Sequence, residues 1–109
     1  MKKKLYTELD RVNEFFTVQS ESINSEYNVI INILEKTGRL TAPLGEKVNK
    51  TLFAIRIIRT GNVRVFYVYG KENNVYGIHG YIKKTREIPK KELNIASKIV
   101  KEFKREKLI

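Results

Sequence analysis

A chain of 109 residues with 41% apolar side chains supports one compact domain and is too short for two of ordinary size. No cysteine and a single histidine exclude disulfides and thiolate metal centres, so a transition-metal site is not expected, and no sequence feature implies an organic cofactor. The net charge of +10 is unevenly placed: residues 1–50 hold 8 basic and 7 acidic side chains, residues 51–109 hold 14 and 5. A surface that positive attracts polyanions such as RNA, DNA or a ribosome, although a lysine-rich coat can also serve solubility alone.

The basic start, MKKKLY, runs into Thr7, Glu8 and Asp10 instead of an apolar segment, which argues against a secretory signal. No run approaches the length of a membrane span, so a cytoplasmic protein without a membrane partner is expected. Leu5, Leu9, Val12 and Phe16 follow helical spacing, with Asp10, Arg11 and Glu14 on the opposite side, and predict a first helix near residues 5–17. Asn24 or Ser25 is placed to cap a second helix that buries Tyr27, Ile30, Ile31 and Leu34 and ends at Gly38. Pro43 and Gly45 mark the loop into a sheet.

Three strands follow, at about 51–59, 63–69 and 74–83, rich in Val, Ile, Phe and Tyr. The short turns Thr60-Gly61-Asn62 and Gly70-Lys71-Glu72-Asn73 make consecutive strands antiparallel neighbours. A last helix starts at Pro89 and buries Leu93, Ala96, Ile99 or Val100, and Phe103; its other face carries Lys91, Lys98, Lys101 and Arg105. The expected fold is therefore α+β: two N-terminal helices, an antiparallel sheet of three or four strands and a C-terminal helix. The helices cover one sheet face, leaving the other free to bind.

Arginines inside apolar strands are costly unless they meet a charged partner or a ligand, which singles out Arg56 and Arg64. Alternation turns Arg64, Phe66 and Val68 to one face and Val65, Tyr67 and Tyr69 to the other. On the last strand His79, Tyr81 and Lys83 share a side, opposite Ile78, Ile82 and Lys84. One face can then gather Arg56 or Arg59, Arg64 and members of the cluster from His79 to Arg86 into a basic concavity. Arginine suits stabilisation of a phosphoryl group because its planar fork binds two oxygens and stays charged. Lys83 and Lys84 beside Arg86 offer crowded cations for proton transfer, His79 titrates near neutrality, and Tyr81 can stack or donate. Each has a plainer role as well: Arg56 paired with a buried carboxylate such as Glu46, His79 as a satisfied core histidine, Lys83-Lys84 as a solvated strand end.

The stretch from Leu52 to Pro89 combines a Leu-x-x-x-Arg strand ending in Ile55-Arg56, a glycine turn at Gly61 and Arg64-Val65-Phe66-Tyr67. His79-Gly80-Tyr81-Ile82-Lys83-Lys84-Thr85 and a Pro-started helix complete it. In this it resembles the phage Gp49-like branch of the HigB toxins, within the RelE/ParE superfamily of bacterial toxin–antitoxin systems, over roughly residues 24–104. The resemblance implies a single RelE-like domain and a short N-terminal strand, which only Lys2 to Tyr6 can supply here. It further implies a metal-independent endoribonuclease that cleaves mRNA on the ribosome and is silenced by a cognate antitoxin, typically of helix-turn-helix type. By motif matching, Arg64, Arg56, Lys83 and Lys84 take catalytic roles; Arg59, His79, Tyr81, Arg86, Lys90 and Lys91 are the candidates for holding RNA. The usual aromatic before the strand arginine is replaced by Asn62-Val63, and no tyrosine follows Tyr81 where some relatives use one. Two rivals share the fold or the charge: a ParE-type inhibitor of DNA gyrase, and a non-catalytic RNA-binding module.

Overall fold

The computed structural model describes residues 2–109. The elements are β1 (Leu5–Glu8), α1 (Asp10–Thr17), α2 (Glu21–Thr37), β2 (Gly45–Lys47), β3 (Phe53–Ile57), β4 (Val63–Tyr69), β5 (Asn74–Ile82) and α3 (Lys90–Arg105). They form an α+β fold around a five-stranded mixed sheet in the order β1-β5-β4-β3-β2. The β2–β3–β4–β5 neighbours are antiparallel and β1 lies parallel to β5.

The N-terminus departs from the helical reading. Leu5 and its neighbours pair with Asn74 to Gly77 as a strand, so the first helix starts only at Asp10, with Val12 and Phe16 buried. The edge of β5 offers unpaired backbone groups that a free helical turn cannot satisfy, and four extended residues cap them. Gly77 makes the close approach possible, since a Cβ there would overlap the Tyr6 hydroxyl. The second helix is capped by Ser20, whose Oγ accepts from the Ile23 amide at 3.1 Å, one turn before the expected cap. Asn24 instead donates its side-chain amide to the carbonyls of Phe16 and Ser20 at 3.0 Å, tying the end of α1 to the start of α2. Gly38 closes α2 at φ 84°, a left-handed conformation that glycine adopts without strain. Pro89 precedes the last helix as its N-cap, with its carbonyl accepting from the amides of Glu92 and Leu93.

Two apolar layers hold the sheet, and neither face is free. Val12, Phe16, Tyr27, Ile30 and Leu34 from α1 and α2 pack on Ile55, Ile57, Val63, Val65, Tyr67 and Val75. Ala96 and Phe103 of α3 pack on the opposite face against Leu52, Ala54, Phe66, Val68, Ile78 and Tyr81. The expectation of an open sheet face is therefore corrected: α3 covers it, because its Ala96-to-Phe103 stripe has nowhere else to bury. At the end of that face Arg56 is half-buried, and Arg86, Lys90 and Lys91 are exposed beside it on the loop before α3 and its first turn.

Candidate functional site

Strand register brings the two strand arginines together. Arg56 of β3 lies directly opposite Arg64 of β4, and Arg64 lies directly opposite Tyr81 of β5. All three fall on the α3 side of the sheet, in line with the alternation expected for β4. On β5 strict alternation fails. A bulge opposite Phe66 and Tyr67 inserts an extra residue, so Ile78 joins the α3-side core that Tyr81 also lines.

Arg64 is 4% exposed. Its Nη1 donates to its neighbour's carbonyl, Val63 O, at 3.2 Å, while its Nε has no partner. The Tyr81 hydroxyl is likewise buried and unpaired. Arg64 forms no ion pair among the described residues, and neither does Arg56, whose Nη1 donates to the Pro43 carbonyl at 3.2 Å. The plainer role foreseen for Arg56, pairing with Glu46, is thus not what the side chain does. Burial and then the neighbouring Arg56 charge push the Arg64 pKa down, against the opposing pull of Glu46 and Tyr81. Burial pushes the Tyr81 hydroxyl up to about 12, against the pull of Arg64 and with the added effect of Glu46 and Glu92. Tyr81 is therefore neutral and a hydrogen-bond donor at physiological pH. Two cationic side chains directly opposed across strands, one of them desolvated, are unfavourable by themselves and become favourable when an anion lies between them.

Tyr81, with Gly80 and Ile82, also walls a cleft of about 440 Å³ whose other sides are Phe15, Lys84, Thr85, Pro89 and Glu92. Lys84 is exposed there, so its ammonium stays in contact with water. Lys83 is half-buried, its amide and carbonyl both held by Asn62. Arg86, Lys90 and Lys91 are exposed around the same end, on the 83–89 loop and the first turn of α3.

Two candidates sit elsewhere or are already engaged. His79 is buried and its Nε2 lies 2.8 Å from Glu92 Oε1, so this ring is occupied in tying β5 to the first turn of α3. It stacks near Phe66 and Tyr81, at ring separations of 6.3 and 6.2 Å. Arg59 is directed away from the site. Its segment leaves β3 toward α2, where Glu26 accepts the amides of Ile58, Arg59 and Thr60 and the Thr60 hydroxyl, at 2.8–3.2 Å. Burial alone would raise the Glu26 carboxyl, but these hydrogen bonds hold it below its ordinary value. Arg59 then lines a groove with Glu21, Ser25 and Val29 of α2. Sequence reasoning missed Glu92 and Glu26, both of which reach residues distant in the chain. The spacing of Glu92 three residues after Pro89 was the one available sign, since it puts a carboxylate in a first helical turn.

The fold and this sheet end define a small α+β protein with two opposed strand arginines, Arg64 buried and Arg56 half-buried, beside an exposed basic rim. Residues 14–101 match the model of the phage-derived protein Gp49-like family (DUF891), and the chain belongs to that family. No curated protein matches it. No helix among the described residues is long and apolar enough to cross a membrane.

Proposed function

We propose that this protein is a HigB-like toxin of a type II toxin–antitoxin pair, within the RelE superfamily, that cleaves mRNA on the translating ribosome. One observation carries the reading: Arg56 and Arg64 stand opposed, with the Arg64 Nε and the Tyr81 hydroxyl buried without partners, an arrangement complementary to an anion. A phosphodiester fits that description. Attack of the 2′-hydroxyl on phosphorus builds extra negative charge on the phosphoryl oxygens, where Arg64 and Arg56 can donate in pairs. Cleavage of the bond to the 5′-oxygen then leaves a cyclic phosphate and a 5′-hydroxyl. In this reading Tyr81, protonated at neutral pH, gives the leaving oxygen its proton. Half-buried Lys83 is the candidate for receiving the proton of the 2′-hydroxyl and exposed Lys84 for further charge stabilisation, and Arg86, Lys90 and Lys91 guide the message to the rim. His79 acts as a brace for this end through Glu92. Family membership and the basic C-terminal half support the reading.

The antitoxin proposed as partner, a small helix-turn-helix protein, would silence this surface by presenting acidic residues to it or by adding bulk that blocks ribosome entry. The test is 5′-end mapping of a message translated by purified ribosomes, alongside a gyrase supercoiling assay. Wild-type protein is expected to cut the message and leave gyrase untouched. Arg64→Ala is expected to cut a hundred- to thousand-fold more slowly, the usual effect of removing one transition-state donor. An uncut message with inhibited gyrase would establish the gyrase-inhibitor reading instead, and an uncut message that the protein still binds would establish the RNA-binding module.

A further inference from the structure

The outer edge of β5 is paired over only part of its length. β1 ends at Glu8, and the Leu9 amide, which donates to the Gly77 carbonyl at 2.9 Å, closes that ladder. On the inner side the Lys83 amide donates to the Asn62 carbonyl at 2.8 Å. Antiparallel alternation then bonds Tyr81 to β4 and turns the N–H and C=O groups of Gly80 and Ile82 outward, where no strand among the described residues meets them. Both residues line the cleft of about 440 Å³ that Phe15, Tyr81 and Glu92 also wall. Phe15 of α1 lies so close to the strand that a Cβ on Gly80 would stand 2.9 Å from its ring, and an edge-to-face contact with Phe16, at 5.1 Å and 85°, holds that ring's tilt. Glu92 spends one carboxylate oxygen on His79, while its Oε2 accepts no hydrogen bond among the described residues, although the side chain is only 22% exposed.

We propose that this cleft is a nucleobase subsite, one that takes an unpaired base bearing an exocyclic amino group, adenine, cytosine or guanine, and rejects uracil. The cleft combines the parts that reading an unpaired base requires: an aromatic wall for the ring and fixed polar groups for its edge. Phe15 supplies the wall, and the outward backbone groups of Gly80 and Ile82 supply a donor and an acceptor each. Glu92 Oε2 supplies the selection, because a carboxylate oxygen can only accept. An amino N–H donates to it, whereas uracil brings a carbonyl to either side of its single ring N–H and sets oxygen against oxygen. The tie to His79 fixes the carboxylate, so the choice of base is made by a group whose position is already determined. The proposal deepens the proposed function and rests on it in one respect. Tyr81 belongs both to this wall and to the arginine pair, so a base held here lies beside the phosphate that Arg64 engages, and the cleft selects the nucleotide at the cut.

The probes are four fluorescein-labelled 2′-O-methyl trinucleotides that differ only in a central A, C, G or U between flanking uridines. They lack the attacking hydroxyl and so bind uncut, and fluorescence anisotropy at low salt gives their affinities. Wild type should bind the A, C and G probes about tenfold more tightly than the U probe, the worth of one hydrogen bond to a charged acceptor. Glu92→Gln keeps a carbonyl oxygen for His79 and turns an amide N–H₂ toward the base, so it should erase the preference by gaining uracil, which a purely structural Glu92 would not do. Phe15→Leu, with its fold checked by circular dichroism, should weaken all four probes by about tenfold and leave their order unchanged, as loss of a stacking ring requires. Equal binding of the four probes by wild type overturns the proposal, as does a Glu92→Gln protein that keeps the preference or loses all four probes alike. An uncut message with the base preference intact would reject the nuclease and leave the subsite standing; a cut message with no base preference in binding would do the reverse.

Discussion

Replacing Arg64 by methionine should stabilise the protein while abolishing its activity. The guanidinium is buried, makes one 3.2 Å hydrogen bond to its neighbour's carbonyl, leaves Nε unpaired and faces Arg56 across the strands. Removing that hydrogen bond costs about 1 kcal/mol, and somewhat more because the donor is charged. Against it stand relief of the opposed charges, about 0.2–1 kcal/mol, and full burial of an apolar side chain of similar length, about 1.5–3 kcal/mol. The net gain is about 0–2 kcal/mol, at the lower end of the effect seen when buried ionic groups give way to well-packed apolar ones. For a domain of this length each kcal/mol corresponds to a rise in Tm of roughly 4–8 °C. Urea unfolding followed by circular dichroism, with thermal scans alongside, measures the change directly. A gain in midpoint at unchanged m-value, together with abolished growth inhibition, is the expected pair of results, since residues held for function are often costly to stability. A variant less stable than wild type by more than 1 kcal/mol would refute the reasoning, because it would show that Arg64 has a structural partner in the folded protein.

Tyr81→Phe removes a buried hydroxyl without a partner, so its stability should equal or exceed that of wild type by about 1 kcal/mol, while message cleavage falls by at least a hundredfold if the hydroxyl delivers a proton; full activity in a stable Phe variant would dismiss that role. Glu26→Gln replaces charged with neutral acceptance at the β3–β4 turn and should cost about 1–2 kcal/mol at neutral pH. Because the folded Glu26 carboxyl sits below its ordinary value, its stabilisation is complete above about pH 4.3 and disappears as pH falls through the lower folded value, so wild type and variant should converge in acid; parallel stability curves between pH 6 and pH 3 would contradict this.

Much of the sheet is determined locally. Val63–Tyr69 can be delimited from its β-branched and aromatic run, and two short turns make its neighbours antiparallel, which is enough to bring Arg64, Tyr81 and either Arg56 or Arg59 toward one face; the register then selects Arg56. The family likeness is legible for the same reason, since it resides in contiguous strand and turn motifs. Four features depended on contacts between distant residues. Leu5 to Glu8 carry a helical spacing, but the vacant edge of β5 recruits them as a strand, and four residues are too few for periodicity to resist that. The bulge at Ile78 shifts the alternation of β5 by one residue, a change of register that only the partner strand defines. Glu26 captures three backbone amides more than thirty residues away and so carries Arg59 off to α2. Glu92, arriving on α3, occupies His79 and covers the face that patterning left open. Periodicity reports which side of an element is apolar; which element comes to lie against that side is settled only when the whole chain closes on itself, because the decisive hydrogen bonds and burial join residues that no local window contains together.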